Sequence, residues 1–298
     1  MADNDIPKDP SRRRLLKLGV GALGSMAFDR SSRAAATGEP QESTQRPNIV
    51  FFMTDDQRWD AMSCAGNSIL RTPNMDRLAQ EGIRFRNMFV INSRCAPSRA
   101  TILTGMYSHK HGVIDNRGRQ IPSTQPILPD LLREAGYEVA FCGKSHVAGA
   151  LRDRKWDYYF GFKDQGEYLN PLIAEGVEGK DTQYEGYMDD IVTGKAVEWL
   201  KGEHRKPFCL FLWFKAPHRS WLRARRHYDL FNGVAIPKPS TFDEDLKGYP
   251  GKPRAFAEGD NKIGTFNDVR SLEELVKDYY ATLTAVDENI GRVFEALG

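Results

Sequence analysis

Cysteine is scarce in this chain. Four occur in 298 residues, Cys64, Cys95, Cys142 and Cys209, too few and too scattered to read as a disulfide framework. An excess of charge of either sign is also missing. Forty-two Lys and Arg face 40 Asp and Glu, so nothing in the balance points to general nucleic-acid binding. No apolar run reaches the length of a membrane-spanning helix. The weakly apolar run Gly19 to Phe28 is too short, and no permanent anchor is expected. No internal repeat, heptad run or low-complexity tract appears beyond the N-terminal segment.

What the N-terminus does have is an ordered series of parts. Ser11-Arg12-Arg13-Arg14 leads into Leu15-Leu16-Lys17-Leu18, the short apolar run, and the small-residue stretch Ala34-Ala35-Ala36. A basic region, an apolar region and an Ala-x-Ala site together read as an export signal, and the paired arginines resemble the twin-arginine type. Residues 1–46 are therefore set aside as signal and linker, and an exported, periplasmic or secreted protein is expected. Residues 47–298 remain, enough for one large domain with a substantial core.

Within that domain, apolar runs of strand length alternate with helical patterns. Asn48 to Thr54 reads as a central strand buried on both faces. Thr72-Pro73 to Gly82 reads as a helix with an N-cap threonine and proline in its first position. Ile83 to Phe89 follows as a second strand. Leu128 to Ala135, closed by Gly136, reads as a helix. Tyr137 to Cys142 reads as a strand, Asp189 to Lys201 as a helix, and Phe208 to Phe214 as another buried strand. Ser271-Leu272-Glu273-Glu274 is a capping-box start. After it, Leu275, Val276, Tyr279, Leu283, Val286, Ile290 and Val293 recur at helical spacing. The expected fold is α/β, a mainly parallel central sheet flanked by helices on both faces.

Three strands end in chemistry-bearing residues, and ligands of open α/β sheets gather at strand carboxyl ends. Asp55-Asp56 follows the first. Two adjacent carboxylates repel unless a cation shares them, and hard oxygen ligands suit calcium or magnesium. A solvated loop pair is the plain alternative. Gly143-Lys144-Ser145-His146 ends another strand, and Lys215-Ala216-Pro217-His218 a third. Between them lies Cys95-Ala96-Pro97-Ser98-Arg99, a cysteine just ahead of a proline-started helix. Cys95 and Arg99, four apart, share a helix face. Unpaired N–H groups at the helix start attract anions. Nucleophile, fixed cation and helix start together describe a site for a tetrahedral oxyanion.

Cys95-Ala96-Pro97-Ser98-Arg99 followed by Ala100-Thr101-Ile102-Leu103-Thr104-Gly105 resembles the signature of the type I sulfatases of the alkaline phosphatase superfamily, in which the cysteine is oxidised to formylglycine by a maturation enzyme. The resemblance implies hydrolysis of a sulfate ester, perhaps of a sulfated carbohydrate. It implies a divalent metal, Ca2+ or Mg2+, on Asp55, Asp56 and the modified Cys95. It also implies that Arg99, Lys144 and His146 hold sulfate oxygens and nucleophile, and that Lys144 and His218 contact substrate. His218 would be the general acid for the leaving alcohol. Lys215 to Arg219, with the arginines beyond, resembles glycosaminoglycan-directed members, including those acting on glucosamine 6-sulfate. Family members continue past the last helix with a strand carrying Asp-His-Gly or Asp-Asn-Gly, which completes the metal site, and a further lysine. The fold and site are therefore expected to be incomplete at the C-terminus. A phosphoester or phosphonate hydrolase of the same superfamily, or a non-catalytic fragment, are the alternatives.

Overall fold

The computed structural model describes residues 46–118, 120–147, 151–240 and 271–298. Residues 1–45 of the expected signal and linker, and 241–270 of the long segment after His218, lie outside the described residues.

Six strands form one sheet in the order β1-β6-β2-β3-β4-β5. These are β1 Ile49–Met53, β2 Glu138–Lys144, β3 Tyr158–Phe162, β4 Leu172–Glu175, β5 Asp181–Gln183 and β6 Phe208–Trp213. The pairings β1–β6, β6–β2 and β2–β3 are parallel. The pairings β3–β4 and β4–β5 run antiparallel. The α/β class with a mainly parallel sheet is as expected.

Helices cover both faces because successive strand side chains point opposite ways. In β6, Phe208, Leu210 and Leu212 join a core with Met188, Val192 and Ala196 of α5 (Met188–Leu200) and Val286, Ile290 and Val293 of α6 (Leu272–Leu297). Cys209, Phe211 and Trp213 join a second core with Ala96, Ala100 and Leu103 of α2 (Cys95–Thr104). Leu128 and Leu132 of α4 (Leu128–Glu134) pack against that second core. Each fully buried Leu or Phe here contributes about 1.5–3 kcal/mol. None of the helices among the described residues is long and apolar enough to cross a membrane.

The expectation of a fully buried central β1 is corrected. Its only partner among the described residues is β6, and all five of its residues are half-buried. An apolar run records hydrophobicity, not the number of neighbouring strands. The strand expected at Ile83–Phe89 is also absent. The segment is irregular, with Ile83, Phe85, Met88 and Phe89 all strongly exposed. Its apolar residues have no sheet neighbour to pair with, and an isolated strand cannot satisfy its backbone.

Other boundaries move for local reasons. β2 runs on to Lys144, through Gly143. Gly143 has φ +118, and a Cβ there would lie 1.9 Å from the Trp213 carbonyl oxygen. Only glycine lets β2 approach β6 so closely just before its lysine. α1 (Pro73–Glu81) has no side-chain cap from Thr72, whose hydroxyl oxygen accepts the Ser63 N–H instead. Its first-turn N–H groups are served from α6. The Asp287 carboxylate accepts from Asn74 N at 3.1 Å and Met75 N at 2.8 Å, where a negative group also suits the helix dipole. The Ser271 cap of α6 is as read, its hydroxyl accepting the Glu274 N–H at 3.1 Å.

Candidate active site at the strand tips

The helix carrying the cysteine begins at Cys95 itself, with Pro97 in its first turn. This shift of two residues keeps Cys95 and Arg99 one turn apart, and both reach Asp55 at the end of β1. The Cys95 thiol donates to Asp55 Oδ1 at 3.3 Å. Arg99 Nη2 donates to Asp55 Oδ2 at 3.1 Å, and Lys144 Nζ, from the end of β2, to the same oxygen at 2.5 Å. Arg99 also donates to the Lys144 carbonyl oxygen, and its guanidinium lies over the Trp213 ring at 5.1 Å. The Asp55 N–H donates to Ala216 O at 3.1 Å, tying the tip of β1 to the loop after β6. That loop carries His218. Asp55, Cys95 and His218 each offer a ligand atom, and these atoms lie within 4.8 Å of one another.

Burial shapes the ionisation of every member. It would raise the Asp55 pKa, but the Arg99 and Lys144 charges outweigh it and hold the carboxyl well below the usual range. Burial pulls the pKa values of Arg99 and Lys144 down from their ordinary values, against the opposing pull of Asp55. The Cys95 thiol is pushed up to about 11 by burial and then by the Asp55 charge. A thiol so placed is protonated at neutral pH and a poor nucleophile. His218 is pushed down to about 4 by burial and the Lys144 charge, so in the free site its ring is neutral at pH 7.

The two aspartates at the tip of β1 are not equivalent. Asp56 is exposed at φ +68, with Oδ2 3.7 Å from His218 Nε2. Its pKa is raised by partial burial and by the neighbouring Asp55 charge. Two adjacent carboxylates, one raised by the other, are a hard-oxygen donor set of the kind that calcium or magnesium takes. Asp55 Oδ1 faces the Cys95 side chain, and these residues fit a divalent ion from one side.

The structure thus brings together Cys95, Asp55, Arg99, Lys144 and His218, with Asp56 at the rim. His146 stands one residue away. It lines an adjoining cavity with Asn116 and Val147, and it reaches the cluster through Gln165, whose amide nitrogen lies 3.5 Å from His146 Nε2. Burial and the Lys144 charge push it down to about 4. The helix-start amides are less available than expected, since Ala96 N–H already donates to Asn116 Oδ1 at 3.1 Å.

Three participants carried no assigned role in the sequence. Gln165 accepts from Lys144 Nζ through its side chain and from Lys215 Nζ through its backbone. Lys215 and His218 line a cavity of about 910 Å³, together with Cys95 and Asp56. Asp189, buried at the start of α5, accepts Lys215 N–H at 2.9 Å and Ala216 N–H at 3.3 Å. An acid in a helix's first turn reads as a dipole partner, which masked that role. Of the arginines after His218, Arg223 pairs with Asp278 and Glu274, and Arg226 with Asp190 and Glu288. They fasten the segment to α5 and α6. Arg219 lines the cavity. The aromatics of 152–186 are mostly core, with Tyr159, Phe160, Phe162 and Tyr168 all buried. All four cysteines are free thiols.

The sulfatase family model matches residues 47–298, and the chain belongs to the sulfatase family. It is 40% identical over 255 residues to the N-acetylglucosamine-6-O-sulfatase of Bacteroides thetaiotaomicron, covering 83% of this chain and 45% of that protein. It is 25% identical over 279 residues to the human N-acetylglucosamine-6-sulfatase, covering 85% of this chain and 48% of that one. A solved structure of a protein in complex with its substrate, D-glucosamine-2-N,6-O-disulfate, superposes with a TM-score of 0.70 at 34% identity, over 85% of this chain and 62% of that one. The chain spans about half the length of the curated relatives it matches.

Proposed function

We propose that this chain hydrolyses a sulfate ester of a sulfated carbohydrate, with glucosamine 6-sulfate as the leading substrate class, through a formylglycine made from Cys95. The observation that carries this reading is the convergence of a thiol, two buried cations and an imidazole on the single carboxylate of Asp55. Export through the twin-arginine-like segment, after maturation by a formylglycine-generating enzyme, belongs to the same reading.

Modification would replace the protonated thiol with a hydrated aldehyde, which supplies one hydroxyl to attack sulfur and a second whose proton loss expels sulfate. A calcium or magnesium ion, held by Asp55, Asp56 and the modified side chain, would supply Lewis acidity toward a sulfate oxygen. The chain's own residues do the rest. Arg99 and Lys144 form a fixed, buried pair of cations that offsets charge on the sulfuryl oxygens. Asp55 fixes both cations and stands against the nucleophilic side chain. His218 faces the cavity beside Asp56. A sulfate anion there opposes the burial and Lys144 effects that lower its pKa, and so favours the protonated ring a general acid needs. His146, through Gln165, steadies the Lys144 side.

The test is mass spectrometry of the Arg94–Arg99 region from chain co-expressed with the maturation enzyme, alongside hydrolysis of an aryl sulfate and an aryl phosphate. An aldehyde at position 95 and preference for sulfate are expected. A persistent thiol in an active protein, or preference for phosphate, would overturn the reading.

A further inference from the structure

Two lysines are buried beside each other here, and among the described residues only one has a counter-ion. Lys144 and Lys215 are 0% and 3% exposed. Gln165 bridges them, its side-chain oxygen accepting from Lys144 Nζ and its backbone oxygen from Lys215 Nζ at 3.0 Å. Lys144 is neutralised by Asp55. Lys215 has no carboxylate within 4.0 Å among the described residues. Its remaining contact is the face of Tyr168, 4.6 Å from the ammonium. Asp189 and Glu167 act on it from further away. An ammonium has three donors, and among the described residues only one of Lys215's has an acceptor. A buried charge left in that state is disfavoured unless a ligand supplies the partner. Burial and the Lys144 charge lower its pKa to about 8, which leaves it largely charged at neutral pH.

Lys215 lines the same cavity as Cys95 and His218, and Arg219 adds positive potential from the same loop. That cavity, about 910 Å³, is at the upper end of the size of small-molecule sites and far exceeds a single sulfate. We propose that Lys215 forms a second anion subsite, which takes a further sulfate or carboxylate substituent on a sugar whose reacting sulfate lies at Arg99 and Lys144. The subsite rests on the sulfatase reading and narrows its substrates to sugars with two anionic groups. Gln165 sets the spacing, since its side-chain and backbone oxygens hold one ammonium group each.

The test is equilibrium binding by calorimetry on the full chain in a Cys95→Ala background, which blocks turnover. The probes are glucosamine 6-sulfate, glucosamine 2-N,6-O-disulfate and a 6-sulfated glucosamine linked to a uronic acid. The doubly anionic sugars are expected to bind about tenfold or more tighter, the scale of one charge-assisted hydrogen bond. The sulfate and carboxylate arms tell which anion is preferred. Lys215→Met and Lys215→Gln should abolish the preference, weakening the doubly anionic sugars far more than the monosulfate, and Lys215→Arg should retain it. Melting temperatures show that each variant is folded, and whichever neutral variant folds decides the test. Equal weakening of all probes, or no change, would overturn the subsite. If the preference depends on Lys215 but the matured Cys95 protein hydrolyses none of these sugars, the hydrolase reading fails and the subsite stands. A chain that binds no probe sinks both.

Discussion

Asp55 and Asp189 lie in two neighbouring regions of the site, both buried, at 5% and 0% exposure. Around Asp55, the tips of β1 and β2 and the start of α2 supply two full positive charges, and the carboxyl is held far below its usual range. Around Asp189, the start of α5 meets the loop after β6, and the partners are backbone N–H groups. There burial wins over those hydrogen bonds, and the pKa is raised to about 6. Cations make Asp55 a permanent anion that organises reactive groups. Backbone dipoles make Asp189 a clasp for the loop that carries Lys215 and His218, helped by Tyr168, whose hydroxyl donates to His218 O at 2.6 Å.

The comparison is broken most forcefully at Asp55. Asp55→Asn removes the carboxylate that Arg99 and Lys144 share, and should cost about 3–5 kcal/mol of stability along with all of the proposed sulfatase turnover. Urea denaturation of the two proteins measures this, and an unchanged midpoint would refute the role assigned to Asp55.

The sign of the pH dependence separates the two aspartates next. Asp189 has a folded pKa above its unfolded value, so the folded state binds the extra proton. Stability then falls as pH rises from about 4 to about 6, by roughly 3 kcal/mol in total. Asp55 has a lowered folded pKa, so its contribution is present above the unfolded value and lost as pH falls. Asp189→Asn should therefore flatten the decline between pH 4 and 6 in thermal unfolding, and leave the acid-side loss intact.

Asp189→Ala removes the clasp itself. Two buried N–H groups lose their acceptor, at a cost of about 1–3 kcal/mol. Because the loop carries His218, kcat should fall more than KM changes. Equal kcat in a folded variant would mean the loop holds its shape without Asp189. The smallest effect on stability is expected at the rim. Asp56→Asn, exposed and without a cation pair in the structure, should shift unfolding by no more than about 0.5 kcal/mol. On the proposed metal site, it should still weaken divalent-ion binding measured by calorimetry.

Much of this was legible from residue order. The Cys95–Arg99 spacing put both side chains on one helix face, and strand-end positions marked Asp55, Lys144 and His218 as neighbours. β1 and β6 show the limit. Ile49-Val50-Phe51-Phe52-Met53 and Phe208-Cys209-Leu210-Phe211-Leu212-Trp213 carry the same apolar signal, yet among the described residues one is a half-buried edge and the other fully buried. The apolar residues of 83–89 gave a strand signal with nothing to pair against. His146 and Lys144, two apart, would share a face of a continuing strand, but β2 ends at Lys144 and the backbone turns at His146, φ +44, sending it into the adjoining cavity.

Local spacing and apolar period were enough to determine the α/β layering, the helix that opens at Cys95 and the kinds of side chain at each strand tip. These depend only on the 3.6- and 2-residue repeats and on caps a few residues away. Tertiary structure alone decided which carboxylate met cations and which met backbone, and, among the described residues, that Lys215 was left without a counter-ion and β1 with a single neighbour. Each of those outcomes depends on burial and on charges brought together from distant parts of the chain.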